Sequence, residues 1–170
     1  MDFFGKIKGF LLDPAKTFEA LKDDNLRSAL IYYLIIVVIF STLVAFPFSK
    51  RDYKNEDIMI VFTWSLVLSF IIVFIFALFI HIFVYLAGGR GGNAQTIKAV
   101  LYATTPAMLF GWIPSLYTIA IWIWSLFLLI LGIHKLQEIT MFRSSLPVLA
   151  LIITIVALFL DFVSNLPNTF

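Results

Sequence analysis

The chain has 170 residues, 62% of them hydrophobic and only 13% charged, with a mean hydropathy of +1.03. A soluble domain cannot bury that much apolar surface in one core, so lipid is the expected solvent for most of the chain. A net charge of +2, from 12 basic and 10 acidic residues, argues against nucleic acid as a partner. The lack of cysteine excludes disulfides, thiolate metal ligands and thiol nucleophiles.

Residues 1–28 read as an amphipathic lead-in on the cytoplasmic side or at the interface. Phe3, Phe4, Ile7, Phe10 and Leu11 recur at helical spacing, with Asp2, Lys6 and Lys8 elsewhere around the wheel, as in a helix that lies on a membrane surface. Asp13-Pro14 has the form of an N-cap followed by proline in the first helical turn. The first long apolar run begins only near Ala29, with no cleavage pattern behind it, so the first span is expected to stay in the mature protein.

A helix needs about 20 apolar residues to cross a bilayer. Five stretches are predicted to do so, at about 29–49, 58–87, 94–111, 115–133 and 146–163, within a membrane domain covering 29–165 and followed by a tail, 166–170. The fold class is therefore all-α, a polytopic membrane helix bundle of five transmembrane helices. The second stretch is longer than a span requires and must tilt or protrude. Lys50–Asp57 and His134–Ser145 read as polar connectors and Trp112–Ser115 as a tight turn. Asn93 is placed as the cap of the third helix, and Pro147 in the first turn of the fifth. With the N-terminus inside, the inner segments carry nine Lys and Arg residues, from Lys6 to Arg143; the outer ones carry Lys50, Arg51 and Lys54. The positive-inside rule then predicts a cytoplasmic N-terminus and an outside C-terminus.

The unusual stretch is 88–114, where glycines, polar residues, a lysine and two prolines interrupt the apolar pattern. Gly88, Gly89, Gly91 and Gly92 are read as a turn or hinge. They lack the flanking strand and the Lys-Ser/Thr ending of a phosphate-binding loop. Gln95, Ala99, Tyr102 and Thr105 or Pro106 share one helical face. Pro106 cannot donate to the Tyr102 carbonyl, so Thr104 or Thr105 is expected to supply a hydroxyl there. Gln95, Tyr102, Thr104, Thr105 and Pro106 are thus the candidate binding residues, set against the plainer reading of a kinked helix packed among neighbours. Lys98 is expected to snorkel to the inner interface. His81 is expected to be a hydrogen-bonded packing histidine, with a proton relay as the sharper alternative. Asp161 is kept as an interfacial carboxylate with a functional option. His134 and Glu138 stand one turn apart but lack a third ligand, so no metal and no cofactor are expected. No catalytic constellation appears and an enzyme is not expected.

Three stretches carry a resemblance: DPAKTFEAL ahead of the first span, GGRGGNAQTIKAVLYATTPAML, and WIWSLFLLILGIHKLQEIT. Together they resemble the Yip1 domain family, across nearly the whole chain. The resemblance implies five spans, a cytosolic N-terminus, a short far-side C-terminus and, in eukaryotic relatives, a link to Rab-type GTPases and vesicle traffic. This chain lacks the long cytosolic N-terminal region of those relatives, so direct GTPase binding is not expected. The compact form resembles prokaryotic members and implies a cell-membrane address. The expected role is a membrane adaptor or organiser whose partners are the lipid bilayer and another membrane protein or a second copy. The competing reading is a small transporter or channel with its pathway at the kinked third helix.

Overall fold

The computed structural model describes residues 1–49, 55–113 and 117–165. The charged connector with Lys50, Arg51 and Lys54, the end of the turn after Ile113 and the tail from 166 lie outside the described residues. Among the described residues the chain forms eight helices and no strand. They are α1 (Phe3–Leu12), α2 (Pro14–Ala20), α3 (Leu26–Ser49), α4 (Asn55–Leu86), α5 (Gly92–Ala103), α6 (Thr105–Phe110), α7 (Tyr117–Gln137) and α8 (Met141–Ser164).

Four of these helices, α3, α4, α7 and α8, are long and apolar enough to cross a membrane. The stretch read as a third span, 94–111, is broken at Thr104 into α5 and α6, and neither piece reaches that length alone. Two boundaries also move. Asn93 does not cap α5, which begins at Gly92 with Gly91 at the cap position and no side-chain cap. The polar connector before the last helix shrinks to a turn, because Thr140 caps α8 and starts it at Met141, leaving Pro147 inside the helix.

Helix pairing follows stripes of small and β-branched residues. In α3, Ala29, Tyr33, Val37, Ser41 and Ala45 are buried at steps of four, and in α4, Ser69, Val73, Ala77, Ile80 and Val84 at steps of three and four. Steps of this kind line up on one helical face, and small residues let helix backbones approach closely in lipid. The Tyr33 hydroxyl crosses the α3–α4 seam to donate to the Ser69 carbonyl at 2.9 Å. The opposite faces carry exposed Ile31, Leu34, Ile35, Ile72, Ile75 and Ile82. That is the outside of a molecule whose surroundings are hydrocarbon.

The amphipathic lead-in does not lie free. α1 turns Lys6 and Phe10 into the bundle and leaves Phe4 and Leu12 exposed. Pro14 opens α2 as expected, although the Asp13 carboxylate pairs with Lys16 instead of capping the helix. α2 then sets the Phe18 ring on α7 at Gly132. A Cβ at position 132 would stand 2.8 Å from two ring atoms of Phe18 and 3.3 Å from the Ala99 Cβ. Glycine is required there by contact between three helices. α8 is the peripheral member: 11% of its most apolar window is buried, against 39% in α3 and α7.

Gly132→Val is expected to push Phe18 off α7 and to destabilise the fold by about 1–3 kcal/mol, the usual cost of overpacking. Thermal unfolding in detergent checks this, with Phe159→Ala on the exposed side of α8 expected to leave the midpoint unchanged.

Candidate functional site

α5 carries the polar residues, and their partners come from elements far away in sequence. At its N-terminal end the Gly88–Gly92 turn is held against the end of α7. Gly88 and Gly92 have φ of 88° and 78°, the left-handed region that glycine tolerates. Gln137 takes both sides of the turn: its Oε1 accepts from the Gly91 amide at 2.9 Å, and its Nε2 donates to the Gly92 carbonyl at 2.8 Å. The same Nε2 reaches the Thr96 hydroxyl at 2.8 Å, and that hydroxyl bonds His81 Nδ1 at 2.9 Å. His81 is thus hydrogen-bonded within a clasp that joins α4, α5 and α7. The same contacts favour a clasp over a hinge at the glycines.

One turn further along α5, Lys98 is almost fully buried. Its ammonium donates to the carbonyls of Lys22 and Asp24, both at 2.7 Å, and so closes the α2–α3 turn. The expectation of a snorkelling lysine is corrected here: the turn folds over the ammonium and supplies the oxygens that water would otherwise supply. Gln95 Nε2 joins it on the Lys22 carbonyl at 3.1 Å.

Tyr102 is fully buried among Phe10, Phe18 and Tyr32, with ring centres 5.0 to 6.4 Å away. Into this aromatic nest α1 inserts Lys6. Its ammonium lies 3.0 Å from both the Asp24 carboxylate and the Ser28 hydroxyl, and 5.6 Å from the centre of the Tyr102 ring. Burial pushes the Asp24 carboxyl up. The Lys6 ammonium and the Ser28 hydroxyl outweigh that and hold it below the ordinary carboxylate value. A cation over an aromatic face adds attraction that grows as water is removed.

At the break between α5 and α6 the hydroxyl predicted from Pro106 is present. Thr105 Oγ1 donates to the Tyr102 carbonyl at 2.7 Å and meets the Tyr32 hydroxyl at 3.0 Å, while Thr104 Oγ1 donates to Leu101 at 2.8 Å. Gln95, Tyr102 and Thr105 therefore do share a face, turned toward the α2–α3 turn, α1 and α3. Tyr102, Thr105 and Pro106 are interior. Asp161 stands apart from this cluster, exposed near the end of α8 and bonded to Asn165 Nδ2 at 3.2 Å. His134 bonds the Ile139 carbonyl and Glu138 pairs with Lys22, so the two face different partners. No metal-binding cluster occurs among the described residues.

The sequence reading missed Lys6, Asp24, Ser28, Tyr32 and Gln137. A signal existed for Lys6: steps of three and four place it between Phe3 and Phe10, within the buried stripe of α1. The other four depend on long-range packing that no local pattern carries.

The three stretches that carry the resemblance meet in this cluster. Phe18 comes from the first, Lys98 and Tyr102 from the second, Gly132 and Gln137 from the third. The Yip1 domain profile matches residues 8–163. The chain belongs to the Yip1 family. No curated protein and no solved structure matches it at significance. It is a multi-pass integral membrane protein of that family, with the polar cluster buried at one end of its bundle.

Two outcomes test the cluster. Lys98→Met, which keeps the chain length and removes the ammonium, is expected to cost about 1–3 kcal/mol by leaving buried carbonyls short of a donor; unfolding in detergent measures it. The Asp24 contribution has the sign of a depressed carboxylate. It is fully present above the ordinary value of 3.8 and is lost as pH falls below it. Amide exchange in residues 3–12 is therefore expected to accelerate below that pH, and Asp24→Asn to abolish the dependence.

Proposed function

We propose that this Yip1 protein is a non-enzymatic membrane adaptor that organises other membrane proteins, in keeping with the family's link to membrane traffic. The observation that carries this reading is how the polar groups are used. Lys98, Gln137, Thr96, Tyr32 and Thr105 each bond a group of this same chain, which makes them fasteners between helices. A polar side chain inside the bilayer serves either to join helices or to line a path. Here the bonds favour joining.

In this reading the α5–α6 pair is the fifth crossing. Its 18 residues rise about 27 Å at 1.5 Å each, slightly short of a hydrocarbon core of about 30 Å. The excess of Lys and Arg in the inner segments supports an N-terminus in the cytoplasm and a C-terminus outside, and the compact form of the chain supports a cell-membrane address. α8 offers the surface for a partner, since the bundle covers it least.

The transporter reading rests on the kinked, polar third helix, and beside its second half, α6, lies a cavity of about 240 Å³. Its lining includes Phe40, Leu43, Val44, Met108 and Trp122, and a solute or ion would find few polar groups there. The adaptor is the better account.

Photo-crosslinking distinguishes the two. Position 102 is fully buried and would report only its own neighbours, so the probes belong at Ile153 and Phe159, which are exposed on α8. The adaptor predicts a product with a second membrane protein, and sealed vesicles as impermeable as protein-free ones. Crosslinks to lipid alone, together with solute flux above that background, would replace it with the transporter.

A further inference from the structure

The corner where α4 gives way to the glycine turn and α8 begins holds two arginines. Arg90 lies just past Gly88 and Gly89, and Arg143 stands in the first turn of α8. The Arg143 guanidinium lies over the turn, its Nη1 3.6 Å from where a Cβ on Gly88 would be. Both side chains are exposed, and among the described residues neither guanidinium has a hydrogen-bond or ion-pair partner. Glu138, whose carboxyl responds to Arg90, already holds the Lys22 ammonium. Neither α5 nor α8 carries an acid in its first turn, and a cation at that end of a helix opposes the helix dipole. The chain gathers positive charge at this corner and leaves it unbalanced.

The surroundings are those of a membrane boundary. Tyr85 and Leu86 at the end of α4, and Met141 and Phe142 at the start of α8, are exposed beside the arginines. Aromatic side chains in such positions belong at the headgroup level. Deeper along the same two helices lies an apolar groove of about 390 Å³. Its lining includes Ile72, Phe76 and Phe79 of α4 and Leu151, Ile155 and Leu158 of α8. Leu151 and Leu158 are about 12 Å and 22 Å along α8 from Arg143. One leaflet with its headgroups is about 20–22 Å deep. The charged corner and the groove below it therefore match the two parts of one phospholipid.

Guanidinium groups take phosphate oxygens through paired N–H donors. A zwitterionic headgroup would bring its own cation against two arginines, and Glu138 is already taken. An anionic headgroup brings only the charge that the corner lacks. We infer that the Arg90–Arg143 corner and the α4–α8 groove bind one anionic phospholipid of the adjacent leaflet, its phosphate on the two guanidinium groups and an acyl chain in the groove. The site requires only that the protein lie in a bilayer, so it stands apart from the adaptor reading.

The test uses the full chain, reconstituted in vesicles of equal phosphatidylglycerol and phosphatidylcholine, then extracted in detergent and weighed by native mass spectrometry. One phosphatidylglycerol per chain is expected, enriched over phosphatidylcholine by roughly tenfold, the worth of one charge-assisted hydrogen bond. Arg143→Gln is expected to remove most of that preference with helix content unchanged, and Arg90→Gln serves if that variant does not fold. Lys8→Gln takes an exposed cation from α1 and is expected to leave the preference intact. Ile155→Trp fills the groove and is expected to lower the retention of either lipid. An unchanged preference in both arginine variants, or unchanged retention in Ile155→Trp, would overturn the assignment. An equal fall in Lys8→Gln would do the same, by showing attraction to net charge alone. Displacement of the lipid by inorganic phosphate would also overturn it, since that would point to a free anion and not a membrane lipid.

Discussion

α5 and α6 can sit inside an apolar bundle because most of the polar side chains they bring in, Thr96, Lys98, Tyr102 and Thr105 among them, find partners in the fold, several on distant elements. Lipid offers no hydrogen bonds, so an unmatched carbonyl, hydroxyl or ammonium there costs several kcal/mol. Pro106 removes one donor from the helix, and the consequence spreads outward. Thr105 turns back to the Tyr102 carbonyl, and Tyr32 on α3 turns toward Thr105. Lys98 brings a charge into the same region, and the turn between α2 and α3 closes over it with two carbonyls. The positions of α3 and of the α2–α3 turn are therefore tied to what α5 must satisfy. Gln137 does the same for α7, through the glycine turn.

This dependence gives a physical reason for the stretches by which the chain is recognised. The first ends in Phe18 and Leu21, both buried; the third contains Gly132, whose missing side chain leaves room for the Phe18 ring beside Ala99 of the second. The three stretches form one joint. Outside it, α4 and α8 present isoleucine, leucine and phenylalanine to lipid, where one bulky apolar side chain serves nearly as well as another.

The long helices were legible because hydropathy over about 20 residues is a strong signal and needs no tertiary information. The break at Thr104 was half legible: Pro106 announced a lost bond, and the threonine that repairs it lay next to it in sequence. What the pattern hid was how far the interruption goes, since the wheel of 94–111 reads as continuous. The cap of α5 was misplaced for a related reason. Asn93 is a good cap by local preference, but a glutamine 44 positions away already satisfied the Gly91 amide. Lys6 and Lys98 were assigned to the surface because lysine usually goes there. Each is buried because a distant segment, the Lys22–Ser28 turn, supplies oxygens that local sequence cannot reveal.

The two ends of the bundle consequently differ in kind. Toward the end where α1, the α2–α3 turn and the glycine turn gather, helices are joined by directional bonds with fixed partners. Toward the other end the cavity beside α6 is lined by aliphatic and aromatic side chains, and α8 runs almost uncovered. Apolar contacts between helices in lipid gain no solvent-driven advantage over contacts with acyl chains, so they are the easier ones to exchange. A molecule built this way keeps one end rigid and offers the other for repacking. That division is what the proposed adaptor role would require, because a partner helix could replace lipid along α8 without disturbing the joint on which the fold depends.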